Sequence, residues 1–173
     1  DEAIPLSGMS LQYRPAGYNP ATNTVSVLPL DAAQQVPAND SFLVQVSSAS
    51  ATVGAALSPD QSAQSGTELS MGQSSGQVVL ADSTTQVTAT GDLAATPGVV
   101  DMVGYGTGST TSFEGTGATG ETLSSTLAAV RAAEGVDSDQ NAPDLPSAAP
   151  SPDAASGDTT APPQEPETAS GDG

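Results

Sequence analysis

The chain opens on an alternation. In Met9-Ser10-Leu11-Gln12-Tyr13-Arg14, Met9, Leu11 and Tyr13 fall on one parity and Ser10, Gln12 and Arg14 on the other. Successive side chains of an extended backbone point to opposite faces, so a period of two predicts a strand with one apolar and one polar face. The same rhythm groups Val25 with Val27 over Asn23 to Leu28, and Phe42 with Val44 and Val46 over Ser41 to Val46. A weaker alternation runs through Gly66-Thr67-Glu68-Leu69-Ser70-Met71. Gly76-Gln77-Val78-Val79-Leu80-Ala81 and Val99-Val100-Asp101-Met102-Val103-Gly104-Tyr105 are nearly continuous apolar runs, the pattern of strands covered on both faces.

Residues 123–134 fit two elements. Leu123, Leu127 and Val130 stand at i, i+4 and i+7, as on a short amphipathic helix, while Thr126 to Arg131 also suits an edge strand. Clusters of Gly, Pro, Asn and Ser separate the segments and read as turns, so the pattern predicts an all-β sandwich rather than an α/β fold. The alternation stops near Pro146. Residues 146–173 are mostly Pro, Ala, Ser, Gly and acids, too polar to offset the entropy of ordering by burial. The expected organisation is a β domain over 1–145 and a disordered acidic tail or linker over 146–173.

Charge narrows the partners. The 173 residues carry 20 acids against two arginines, Arg14 and Arg131, for a formal net charge of −18. Such a surface repels nucleic-acid phosphates and anionic membranes, and attracts basic partners and divalent cations. No apolar run approaches the roughly 20 residues of a membrane-spanning helix.

Chemistry narrows further. Without His, Cys or Lys, a Ser-His-Asp triad, a cysteine nucleophile, a lysine Schiff base and a Cys/His zinc site are all closed to the chain. Carboxylates remain for acid–base work, with Asp101 and Glu114 as candidates, but neither lies in a recognisable catalytic setting. The expectation is a non-enzymatic chain. Asp101 interrupts an apolar run, so it either caps a turn, faces solvent, or turns inward to one of the two arginines. Asp137-x-Asp139-x-Asn141 followed by Asp144 has two readings. Oxygen-bearing side chains at alternate positions can converge on calcium, as in the first half of an EF-hand loop. The EF-hand glycine and closing glutamate are missing, however, and the same residues suit a run of Asx turns.

Five stretches resemble the lamin tail domain in its bacterial secreted form. They are Pro5 to Tyr13, Val36 to Val44, Val100 to Gly106, Phe113 to Gly117, and Asp137 to Leu145, in family order. Met9 and Leu145 replace the family's usual aromatics. The family's opening strands find no counterpart, and Asp1-Glu2-Ala3-Ile4-Pro5 reads as a loop. The resemblance implies an immunoglobulin-like β-sandwich, incomplete at its N-terminal side. It also implies a secreted, extracellular interaction or anchoring module that binds a protein or a cell-surface polymer. The alternative it implies is an accessory domain fused to a secreted nuclease or other hydrolase. It brings no cofactor beyond the calcium option at Asp137, Asp139, Asn141 and Asp144.

Overall fold

The computed structural model describes residues 2–47, 57–106, 109–119, 123–133 and 135–152. In chain order these form β1 (Ile4–Pro5), β2 (Ser10–Arg14), β3 (Ser26–Pro29) and β4 (Gln35–Val36). There follow β5 (Val44–Gln45), β6 (Gln61–Ser62), β7 (Gly76–Ala81) and β8 (Gly91–Asp92). The last are β9 (Val99–Tyr105), β10 (Ser112–Phe113), β11 (Ala128–Ala129), one helical turn α1 (Asn141–Asp144), and β12 (Ser147–Ala148).

The chain is an all-β sandwich, with further layers on both faces of one antiparallel sheet ordered β3-β2-β7-β9. The two apolar runs became β7 and β9 with the boundaries their sequence predicts. The Met9–Arg14 alternation became β2. Within 123–133 the strand alternative holds, since β11 pairs with β12. The Gly66–Met71 alternation forms no strand. The opening residues, read as a loop, include β1, which pairs with β4. β12 and the bond from Val130 N–H to the Pro146 carbonyl lie past the boundary expected at 146. Of the expected tail, residues 153–173 lie outside the described residues.

Both faces of the sheet are buried, for different reasons. On one face Tyr13, Leu28 and Leu69 form an apolar cluster, joined by Leu11, Val44, Val46, Ala63 and Val78. Tyr13 and Tyr105 close this side by gripping one residue: the Gly72 N–H donates to the Tyr13 hydroxyl (2.8 Å), and the Tyr105 hydroxyl donates to the Gly72 carbonyl (2.6 Å). Their rings pass so close to Gly76 that an added Cβ would lie 2.6 Å from the Tyr105 oxygen, which accounts for a glycine at the start of β7.

The opposite face carries the polar parity of β2, and Ser10, Gln12 and Arg14 are all fully buried. They bond the segment of residues 83–89, which bends over 83–85 and crosses this face of the sheet. Ser10 Oγ donates to the Ser83 carbonyl (2.6 Å) and Gln12 Nε2 to the Thr85 carbonyl (2.8 Å). Val87 N–H donates back to Gln12 Oε1 (2.8 Å), and Arg14 Nη1 donates to the carbonyls of Val87 (3.1 Å) and Ala89 (2.7 Å). Side chains two residues apart on β2 thus meet carbonyls two residues apart on the segment. The pairing has the spacing of a β-ladder, but side-chain amide, hydroxyl and guanidinium groups replace one backbone. A buried polar group is tolerated only when bonded, and here each one anchors chain. Beyond this ladder Val79, Leu93 and Met102 form the second apolar cluster, with Val87 and Val99 packed against it.

Candidate functional site

β9 is an edge strand of the four-stranded sheet, so the N–H and C=O groups of alternate residues face away from β7 and need partners. Two side chains supply most of them. Asn141, at the start of α1, accepts the Gly104 N–H at Oδ1 (2.7 Å) and donates from Nδ2 to the Met102 carbonyl (2.8 Å). Glu114, just after β10, accepts the Met102 N–H at Oε1 (3.2 Å). The two residues also bond each other. Glu114 N–H donates to Asn141 Oδ1 (3.1 Å), Asn141 N–H to the Glu114 carbonyl (3.1 Å), and Asn141 Nδ2 to Glu114 Oε2 (3.3 Å). Gly104 lets β10 close over this edge, because a Cβ there would lie 2.3 Å from the Ser112 carbonyl oxygen.

Around this clamp stand further acids and one base. Asp101 turns to Arg131 rather than to a turn or to solvent, pairing with Nη2 at 3.0 Å. Arg131 also pairs with Asp137 (3.4 Å) and donates to the Val136 carbonyl. Carboxylate oxygens of Glu114, Asp137 and Asp139 all lie within 4.8 Å of one another. Glu114 is only 4% exposed. Burial, reinforced by the negative charges of Asp101, Asp137 and Asp139, pushes its carboxyl up to about 7. Burial also raises Asp101, which Arg131 partly offsets.

The residues read as a calcium set divide here. Asp137 and Asp139 come together and are joined by Glu114, an oxygen donor set of the kind that suits a hard cation. Asn141 and Asp144 are turned to other work. Asn141 holds β9. Asp144 accepts the Ser138 N–H (2.8 Å), the Ser138 hydroxyl (2.7 Å) and the Gln140 N–H (3.3 Å), and the Ser138 bonds hold its carboxyl below the usual range. Asp137 Oδ1 accepts the Asp139 N–H, an Asx-turn bond, and Asp139 has φ +53 in the left-handed region that Asp tolerates better than most residues.

Sequence reasoning placed Glu114 among possible acid–base groups but not beside the Asp137 loop, 23 positions away. The available signal was a lone acid between a strand and a glycine, Phe113-Glu114-Gly115, where Gly115 has φ +74 and a Cβ would collide with the Gln140 side chain. No family model matches the chain, and no curated protein or solved structure matches it.

Proposed function

We propose that the chain is a non-catalytic interaction or anchoring module of a secreted multidomain protein, and that its partner presents a cationic surface. The observation that carries this reading is the disposition of charge. Arg14 is buried and Arg131 is held by two carboxylates. The side chains that face solvent include Asp31, Asp40, Asp60, Glu68, Asp82 and Asp92, spread over loops and strand ends. Opposite charge steers and selects partners even where it adds little affinity. The placement outside the cell follows from the family resemblance.

The non-catalytic part rests on Glu114. Its carboxyl titrates near neutrality, as a general acid needs, but a general acid must also reach its substrate. Both Glu114 oxygens are bonded to β9 and Asn141, and the side chain is buried. The test has two arms. The chain should bind immobilised polylysine with an affinity that falls as salt rises, and should turn over none of a panel of ester, phosphoester and glycoside substrates. Turnover that disappears in Glu114→Gln would overturn the reading.

A further inference from the structure

β3 is the other edge of the four-stranded sheet. Its pairing with β2 is antiparallel, and the Leu30 N–H donates to the Met9 carbonyl (2.9 Å). In such a ladder alternate residues turn their backbone groups to the partner strand. Leu30, Leu28 and Ser26 therefore face β2, and Val25, Val27 and Pro29 face outward. Two glutamines fill most of that outer side. Gln86 Nε2 donates to the Val25 carbonyl (3.0 Å) and Gln61 Nε2 to the Pro29 carbonyl (2.9 Å), while the Asp31 N–H donates to Gln61 Oε1 (2.9 Å). Pro29 has no N–H to satisfy. Between the two glutamines, the Val27 N–H and C=O meet no outer partner among the described residues.

The edge reaches solvent. Pro29 is exposed, and Ser26 and Val27 are half-buried. Gln86 comes from the segment that crosses the polar face, and Gln61 from β6, whose partner β5 supplies Val44 to the Tyr13 cluster. Amides from both layers thus stand where the peptide groups of a further strand would stand, and the rung at Val27 is left open. Charge says what kind of strand could take it. Asp31 and Asp60 are exposed and lie at the Pro29 end, Asp31 bonded to Gln61 and Asp60 next to it in the chain. Neither arginine answers them, since Arg14 is buried and Arg131 is tied to Asp101 on the opposite edge strand. A second copy of the chain would bring another net charge of −18 to this edge and be repelled.

We infer that the outer edge of β3 takes up one extended, basic segment of a partner protein, paired antiparallel through Val27, with its lysine or arginine side chains over Asp31 and Asp60. The inference rests on the cationic partner proposed above and gives it a place on the molecule. Main-chain bonds supply affinity in strand addition, and side chains supply selectivity. The glutamine amides give way to the amides of the incoming strand, so the Val25 and Pro29 carbonyls exchange one partner for another of the same kind.

The test uses the full chain and a short peptide of alternating lysine and valine, with amide exchange read by NMR. At about ten times the peptide Kd, exchange at Val27 should slow about tenfold, as the bound fraction requires. Val27→Pro removes the open N–H at a position where an edge strand tolerates proline, and should weaken peptide binding about fivefold, the worth of one hydrogen bond. Gln86→Ala clears the Val25 carbonyl and should strengthen binding by a similar factor. The exchange measurement needs no variant, so it decides the matter even if Val27→Pro fails to fold. Unchanged Val27 exchange under saturating peptide, or equal affinity for a folded Val27→Pro chain, would overturn the inference. If polylysine still bound in that case, the edge would be the wrong place and the cationic-partner reading would stand. If neither polylysine nor the peptide bound, both would fall.

Discussion

Around Arg14 and around Arg131 the protein solves the same problem with different materials. In both places a stretch of backbone lacks a neighbouring strand, and side chains complete its hydrogen bonds. Over residues 83–89 the work is done by a hydroxyl, an amide and a guanidinium with no acid paired to it. At the β9 edge it is done by an amide and a carboxylate, with Asp101 and Asp137 paired to a single arginine and Asp139 close to Asp137 and Glu114. The first arrangement contains no group that titrates between pH 4 and 8. The second contains one that titrates near 7. Side chains standing in for a strand can therefore be charged or neutral without changing the geometry, but the charged ones make stability depend on solution conditions.

The largest effect should come from Asn141→Ala. It leaves the Gly104 N–H, the Glu114 N–H and the Met102 carbonyl without partners in a buried setting. At about 1–3 kcal/mol for each orphaned group, and with partial relaxation, the expected loss is about 4 kcal/mol. It would be read as a lower urea midpoint at unchanged m-value. Gln12→Ala makes the matching change on the other side, orphaning the Thr85 carbonyl and the Val87 N–H. The expected loss there is about 2 kcal/mol, with faster amide exchange at Val87 and no dependence on pH between 4.5 and 7. If that loss varied across the same pH window, the contrast between the two regions would fail.

The next effect is in pH. Glu114 ordinarily titrates at 4.5 and is held near 7 in the folded chain, so the native state binds the extra proton between those values. Stability from this group is complete below 4.5 and is lost as pH rises toward 7. The urea midpoint should fall over that window, and Glu114→Gln should flatten it. Asp144 works in the opposite sense. Bonds from Ser138 lower its pKa, so its contribution is present above the ordinary value of 3.8 and fades as pH falls below it. The smallest effect belongs to Asp137→Asn. Its ion pair is long at 3.4 Å and its side chain is 46% exposed, so the direct cost should be about 0.5 kcal/mol or less. Removing its charge should nevertheless move the Glu114 titration downward, which an NMR pH titration would record.

How much of this could be read from the chain depends on where the hydrogen bonds go. β7 and β9 were legible because strands covered on both faces are apolar throughout. β2 was legible as a strand, but its polar parity gave no sign of being buried, because burial there rests on carbonyls some 73 residues away. Residues 83–89 show no strand pattern for the same reason: their partners are side chains, so no alternation of their own is needed. Leu69 is buried without a strand around it, since the tyrosine pair holds the neighbouring Gly72 directly. In the candidate site, the Asp137–Asp139 spacing announced a turn that the structure contains. The clamp itself was hidden, because Glu114 and Asn141 meet through a strand edge that neither motif includes.

The three tyrosines offer a consequence for spectroscopy. The chain has no tryptophan, so its near-ultraviolet absorbance and intrinsic fluorescence come chiefly from Tyr13, Tyr18 and Tyr105. Two of them grip Gly72 on one side of the sheet, and the third stacks on the guanidinium at the other. Each side of the sandwich therefore carries its own built-in chromophore. Replacing Tyr18 with phenylalanine should leave a signal that follows the Gly72 grip alone, and replacing Tyr13 and Tyr105 should leave one that follows the guanidinium stack. Melting curves recorded by these two colours would coincide if the layers separate together and would part if one peels away first.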